Sequence, residues 1–170
     1  QCPEIPVPPW ELDSLPRELE VPDVQQEGRF ALMLEAAERT RDHLGAVAAA
    51  DVYRPGGKTA PVVRVAASGP FSIATRLVGT EPLLIGLLTG EEAAARLLTF
   101  TTEIATVWLR AIRRAGLDAI VFDSSASPPL LSPGMYESSL LPHHAGLMAL
   151  LAETGQSVRP LILGGDTTSI

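Results

Sequence analysis

The segment EEAAARLLTFTTEIATVWLRAIRRAGLDAIVFDSS, residues 91–125, decides the fold class of this chain. Its first part repeats apolar and small residues with the period of an α-helix, and Gly116 ends the pattern. The helical face predicted to be buried consists of Ala94, Leu97, Leu98, Thr101, Ala105, Trp108 and Ile112. Residues 119–122 are continuously apolar, which is typical of a strand inside a parallel sheet. A long helix that leads directly into such a strand predicts a right-handed βαβ unit.

Further elements flank this unit on both sides. The run PVVRVAA, residues 61–67, is rich in β-branched residues and predicts a strand before the long helix. The run RPLILGG, residues 159–165, predicts another strand after it. Residues 30–44 place apolar side chains close to a helical period, and Gly45 is expected to end that helix.

Another helix is predicted between the last two strands. Ser132 is a favoured N-cap residue, and Pro133 stands at the first helical position, where its missing N–H costs nothing. The helix is expected to run to about Thr154, with a kink or interruption at Pro142 because the proline ring clashes with the preceding turn. The order strand, helix, strand, helix, strand predicts an α/β fold with mostly parallel strands and outer helices.

Composition narrows the range of functions. The chain has 170 residues, of which 46% are hydrophobic and 19% charged, as is ordinary for a globular domain. Its formal net charge of −7 disfavours nucleic acid and anionic lipid as partners. Cys2 is the only cysteine, so neither an internal disulfide nor a cysteine-cluster zinc site is possible. No apolar run has membrane-spanning length and no signal peptide opens the chain, so a cytoplasmic location is expected.

Three motifs carry a resemblance to a known family. They are GPFSIATRLVG at 69–79, AGLDAIVFDSSASPPLLSPGMYESSLLP at 115–142 and LILGGDTTSI at 161–170. Together they resemble the uroporphyrinogen decarboxylase superfamily, which includes uroporphyrinogen decarboxylases and the corrinoid-dependent methyltransferases that move a methyl group from methylcobamide to a thiol. Because members of that family are longer barrels, the resemblance implies a partial TIM-type (β/α)8 barrel over residues 25–170. Residues 1–24, with six prolines, predict an irregular arm before it.

Candidate ligand-binding residues follow the first predicted strand. Gly69 allows a sharp turn, and the amides after Pro70 can form a helix N-terminus aimed at an anion, with Ser72 and Arg76 near that end. The alternative is a turn whose glycine serves packing alone. The resemblance implies that Gly69, Phe71, Ser72 and Arg76 bind substrate. Arg76 takes the position of a tyrosine that approaches the tetrapyrrole in the decarboxylases, which argues against decarboxylase activity.

Polar residues also follow the other two strands. Asp123 and Ser124 stand at the predicted carboxyl end of a strand, where barrel enzymes place their functional groups, and Asp166 follows the last strand. The resemblance implies that Asp123 and Ser124 are catalytic and that Asp166 binds substrate. The alternative is that Asp123 caps the loop and Ser124 satisfies backbone amides.

The resemblance also implies where a zinc site would lie. The methyltransferases hold zinc with a His-x-Cys pair in the strand that corresponds to LILGG, and Ile162 and Gly164 occupy those positions here. His143 and His144 point about 100° apart on a helix and cannot form one ligand pair, so they are expected to be solvated or locally bonded. No metal and no tightly bound cofactor are therefore expected.

Two classes of function remain open. The motif residues favour an enzyme, or part of one, that handles a tetrapyrrole or a corrinoid-borne methyl group; uroporphyrinogen decarboxylation in porphyrin biosynthesis is the alternative activity. The missing zinc ligands and the incomplete barrel favour a non-catalytic binding or assembly subunit, or a fragment. The expected partners are a small tetrapyrrole or a corrinoid protein, together with a second copy or another chain that completes the barrel.

Overall fold

A parallel sheet is the centre of the fold. The computed structural model describes residues 8–16, 18–24, 26, 28–49, 62–128, 130–153, 155 and 160–165. Three strands, β1 (Arg64–Ser68), β2 (Asp118–Asp123) and β3 (Leu161–Leu163), pair in parallel in the order β1-β2-β3. The described part of the chain therefore confirms the predicted parallel sheet.

Helices precede the first strand and connect the three strands. They are α1 (Phe30–Ala49), α2 (Pro70–Val78), α3 (Thr80–Thr89), α4 (Glu92–Arg114), α5 (Pro133–Met135), a π-helical segment (Tyr136–Leu140) and α6 (Leu141–Glu153). Helices α2 and α3 meet at Gly79, whose φ of 90° lies outside the helical region. No single helix among the described residues is long and apolar enough to cross a membrane; α2 and α3 together have the length and composition, but they are bent by 111°.

The long helix α4 packs along the sheet as predicted. All seven residues of its predicted face are buried, and Leu109 and Ile112 belong to the same core as Val65 and Val121 of the strands. The indole nitrogen of Trp108 also donates a hydrogen bond of 3.0 Å to the carbonyl oxygen of Ala66. This bond joins α4 directly to the backbone of β1.

The predicted end of α1 at Gly45 is wrong, because the helix continues to Ala49. A glycine ends a helix when its backbone adopts a positive φ. Gly90 after α3 and Gly116 after α4 do so, with φ of 75° and 69°, whereas Gly45 is helical.

The predicted helix after Ser132 is confirmed, and Pro142 leaves a clear mark on it. The Ser132 hydroxyl oxygen accepts a hydrogen bond of 3.3 Å from the Met135 amide, and the helical stretch ends at Glu153. The turn before Pro142 widens into the π-helical segment. A wider turn moves the preceding carbonyls away from the proline ring and avoids the clash that proline causes in an α-helix.

The described part of the proline-rich arm packs on the helices. Its only regular element among the described residues is a 3-10 turn at Leu12–Ser14. The Trp10 ring lies 6.2 Å from the Phe100 ring, and the Trp10 amide donates to the Leu77 carbonyl. The arm therefore covers α2 and α4.

The burial of α4 gives a stability prediction. Leu109 is fully buried, whereas Leu88 at the end of α3 is 68% exposed. Leu109→Ala is expected to lower the free energy of unfolding by about 2–5 kcal/mol, because the deletion leaves a cavity in the core. The matched control Leu88→Ala should change it by less than about 0.5 kcal/mol. Urea unfolding measures both, and equal effects would contradict the packing of α4.

Candidate functional site

The carboxylate of Asp123 is the centre of the site. Asp123 is the last residue of β2, and it is fully buried. Its Oδ1 accepts a hydrogen bond of 2.6 Å from the Ser72 amide, and its Oδ2 accepts one of 3.1 Å from the Phe71 amide. Both amides belong to the first turn of α2, where the helix dipole favours a negative charge. Asp123 therefore caps α2 from a neighbouring strand.

Gly69 makes this approach possible. Gly69 is the N-cap of α2 and Pro70 is the first helical residue, as the motif predicted. Its φ of −76° is open to any residue, so conformational freedom is not the reason for glycine. A Cβ at Gly69 would overlap the Cβ and carboxyl group of Asp123. Glycine is needed at this position because the backbone after β1 runs directly against the Asp123 side chain.

The expected anion site at the start of α2 is therefore filled from within the protein. The amides of Phe71 and Ser72 are bonded to Asp123, and Phe71 itself is fully buried. An external carboxylate would have to displace a buried one. Ser72 instead makes a second internal contact, because its hydroxyl oxygen accepts a hydrogen bond of 3.1 Å from the Ser125 amide.

His144 is the partner that the sequence analysis missed. Its expected solvated or local role is wrong, because the residue is 1% exposed and its Nε2 lies 2.8 Å from Asp123 Oδ2. Its Nδ1 lies 3.1 Å from the hydroxyl of Tyr136. A signal existed in the sequence: His144 falls at helical spacing with the buried residues Leu140, Leu147 and Leu151.

Tyr136 is the second residue that the sequence analysis missed. It lies in the π-helical segment and is partly exposed, in contrast to His144 and Asp123. Burial raises the pKa of the Tyr136 phenol, and the negative charge of Asp123 raises that pKa further. Tyr136 therefore remains protonated at neutral pH.

His143 lies apart from this cluster. Its Nδ1 is 2.8 Å from the Thr102 hydroxyl on α4, and burial, followed by the charge of His144, lowers its pKa. The two adjacent histidines thus have separate partners. Across the described ranges, no three His, Cys, Asp or Glu side chains lie close enough to hold a metal ion. Ile162 and Gly164 offer no zinc ligand, so the residues present do not fit the zinc site that the resemblance implies.

The loops after all three strands meet at the carboxyl edge of the sheet. Gly69 donates its amide to the Phe122 carbonyl at 2.7 Å, and Ser124 follows β2 in an exposed turn. Gly164 comes directly after β3 and lies against the Ser124 carbonyl group. A Cβ atom at Gly164 would overlap the oxygen of that carbonyl. Asp166, predicted to bind substrate, lies outside the described residues.

Arg76 is farther from the start of α2 than expected. It lies in the last turn of this nine-residue helix and is exposed. Its side chain lines a cavity of about 350 Å³ together with Pro8, Thr75, Gly79, Thr80 and Ser125. The loop after β2 therefore brings Ser125 to the same cavity as Arg76, although Arg76 is separated from Asp123.

This arrangement defines a class of protein: an α/β fold with a polar site at the carboxyl edge of a parallel sheet, the place where barrel enzymes bind their ligands. The chain belongs to the uroporphyrinogen decarboxylase (URO-D) family, whose sequence model matches residues 1–169. It is 28% identical over 145 residues to the methylcobamide:CoM methyltransferase MtbA of Methanosarcina acetivorans, a match that covers 85% of this chain and 39% of that protein.

A solved structure shows the same fold. A methyltransferase from Methanosarcina mazei superposes with a TM-score of 0.72 at 24% sequence identity, over 96% of this chain and 43% of that one. The fold is thus part of a TIM-type (β/α)8 barrel, as the family resemblance implied. The chain spans about two fifths of the length of these two proteins.

The contact between Gly69 and Asp123 gives a prediction. Gly69→Ala is expected to lower the free energy of unfolding by about 1–3 kcal/mol, because the added methyl group must push the buried carboxylate from its donors. Gly134→Ala is the control, since a Cβ at Gly134 meets nothing within 4 Å. Chemical unfolding compares the two, and a Gly69→Ala protein as stable as the wild type would show that Asp123 is not held as described.

Proposed function

We propose that this chain is part of a corrinoid-dependent, methyltransferase-like enzyme that binds a corrinoid or a related tetrapyrrole at the carboxyl edge of its sheet. Its similarity to the methylcobamide:CoM methyltransferase and its membership of the uroporphyrinogen decarboxylase family support this class of ligand. The observation that carries the proposal is the cavity around Arg76, which offers a cation to a ligand with acidic side groups.

Arg76 suits the recognition of a carboxylate. Its guanidinium group can donate two parallel hydrogen bonds to one carboxylate. Within the part of the chain that the structure describes, no acidic side chain pairs with it, and the cavity lining contains no Asp or Glu. The hydroxyl groups of Thr75, Thr80 and Ser125 add donors and acceptors to the same cavity. Although the protein as a whole has a net charge of −7, the positive charge of Arg76 makes this cavity favourable for an acidic ligand.

The residues proposed as catalytic take different roles. Asp123 is fully buried and bonded to three donors, so its role in the proposed enzyme is to position α2 and His144. Ser124 is exposed in the turn after β2, where a ligand at the carboxyl edge would reach it. Gly69 and Phe71 then shape the site through packing, and Ser72 fixes the loop that carries Ser125.

A second role is assembly. Phe122 and Ile162 are neighbours in the parallel register of β2 and β3, and they are 38% and 41% exposed. These two adjacent exposed apolar side chains, one on the central strand and one on an edge strand, form a candidate contact surface, because exposed apolar patches mark sites of association. Further barrel strands or a second chain would cover this surface.

Ligand binding tests the proposed function. Absorbance titration with hydroxocobalamin and with uroporphyrin, which carries carboxylates, should detect binding to the wild type. Arg76→Ala should weaken the binding of uroporphyrin by about 1–3 kcal/mol, the range for losing a charge-assisted hydrogen bond. The control is Arg39→Ala, which removes the same charge from an exposed ion pair with Glu35 on α1.

Two outcomes would contradict the proposal. A folded wild type that binds neither compound would show that the chain is not a corrinoid or tetrapyrrole site. Equal affinity of the wild type and Arg76→Ala for uroporphyrin would show that Arg76 takes no part in ligand binding.

A separate assay distinguishes methyl transfer from decarboxylation. It follows, by absorbance, the loss of the methyl group of methylcobalamin in the presence of a thiol.

A further inference from the structure

Three polar residues form one hydrogen-bonded chain from the protein interior to its surface. The Tyr136 hydroxyl lies 3.1 Å from His144 Nδ1, and His144 Nε2 lies 2.8 Å from Asp123 Oδ2. Asp123 and His144 are buried, and Tyr136 is partly exposed. We infer that Tyr136, His144 and Asp123 form a proton relay, in which the Tyr136 phenol passes a proton from a bound ligand to His144.

The direction of the hydrogen bonds follows from the partners. An ionised carboxylate only accepts hydrogen bonds, so His144 donates its Nε2–H to Asp123. The Nδ1 atom of a neutral His144 is then an acceptor, and the Tyr136 hydroxyl donates to it. The Tyr136 oxygen keeps its lone pairs for a proton that arrives from outside. This is the polarity that a hydroxyl–imidazole–carboxylate system needs to accept a proton.

The buried charges of the relay are compensated. Asp123 is stabilised as a carboxylate by two amides at the N-terminus of α2. A proton that reaches His144 produces an imidazolium beside this carboxylate, so the buried pair becomes neutral overall and no isolated charge is created. Among the described residues, the titratable groups bonded to His144 are Asp123 and Tyr136, whereas the adjacent His143 is bonded to Thr102 on α4.

Tyr136 serves as a conduit for the proton. Its pKa is raised by burial and by the Asp123 charge, so it does not supply a phenolate at neutral pH. A neutral phenol can accept one proton on its oxygen while its own proton moves to His144 Nδ1. His144 is then the base, and the phenol connects it to the ligand.

The π-helical segment aligns the relay. An α-helix turns once in 3.6 residues, so residues eight apart, such as Tyr136 and His144, would be about 80° out of phase. The wider turn of Tyr136–Leu140 takes up this difference and places both side chains on one side. The tilt of 50° between their rings, with centroids 5.6 Å apart, lets the hydroxyl reach Nδ1.

The relay has a use in the proposed methyl transfer, and in this respect the inference rests on the proposed function. When a thiol accepts a methyl group, its S–H proton must leave, and the positions for zinc ligands hold Ile162 and Gly164. The thiol proton would pass to the Tyr136 oxygen as the phenol proton moves to His144. The thiolate electron pair then forms the S–C bond, and the pair of the broken bond stays with the methyl donor.

Nitrogen NMR of the imidazole rings tests the relay without any ligand. The chain contains three histidines, so His144→Gln assigns the signal of His144. A proton on Nε2 and none on Nδ1 is expected at neutral pH, and His43→Gln on α1 is the control that should leave this signal unchanged. A proton on Nδ1 would overturn the relay, because the phenol could then not donate to His144.

Titration of the phenol is an independent test. The chain has two tyrosines, so the ultraviolet absorbance of phenolate in a Tyr53→Phe background reports Tyr136 alone. Tyr136 should deprotonate above the ordinary pKa of 10.0, and Asp123→Asn should bring this pKa down by removing the carboxylate charge. A wild-type phenol that is already ionised at neutral pH would overturn the conduit role, because a phenolate has no proton to pass to His144.

Enzyme kinetics test whether Tyr136 takes part in the methyl transfer. With methylcobalamin and mercaptoethanesulfonate, Tyr136→Phe should lower kcat on the order of 100-fold, the scale of general acid–base catalysis, and leave corrinoid binding unchanged. Tyr53→Phe is the matched control. Wild-type kcat in Tyr136→Phe would overturn the relay. A wild type that binds the corrinoid but transfers no methyl group contradicts the proposed function instead, and the two spectroscopic tests then decide the relay.

Discussion

The buried carboxylate of Asp123 is the constraint on which the site depends. A carboxylate without exposure must find its hydrogen-bond donors inside the protein, and Asp123 finds them in the Phe71 and Ser72 amides and in His144. These donors belong to α2 and α6, so one side chain at the end of β2 fixes two helices against the sheet. Gly69 is part of the same constraint, because its missing Cβ is the space that the carboxylate occupies.

This constraint separates internal groups from ligand-facing groups at the carboxyl edge. The amides that would make α2 an anion site are already used by Asp123, so the proposed ligand site relies on Arg76 in the last turn of α2 for its positive charge. Ser124 and Tyr136 keep some exposure, whereas the groups behind them are buried. The polar edge therefore has a buried inner layer, which positions the elements, and a more exposed outer layer, which the proposed function assigns to ligand contact.

The sheet also shows how this chain relates to its family. One side of β2 contributes Val121 and Asp123 to the buried interior, and the other side leaves Phe122 exposed next to Ile162. In a closed (β/α)8 barrel the side of the strands away from the helices is filled by side chains from other strands. The exposure of these two residues and the coverage of about two fifths of the related methyltransferases are consistent with one section of such a barrel.

Those parts of the fold that depend on near neighbours could be predicted from the amino-acid sequence. The buried face of α4, the Ser132 cap and the apolar strand β2 were all predictable, because helical period, capping and strand composition act over a few residues. The contacts that assemble the site could not be predicted, because they join residues that are far apart in the chain. Asp123 meets Phe71 across 52 positions and His144 across 21, and no local pattern records such a pairing. The contact of Tyr136 with His144 combines both levels, because the turn between them widens before Pro142 and the packing of the helical stretch buries His144.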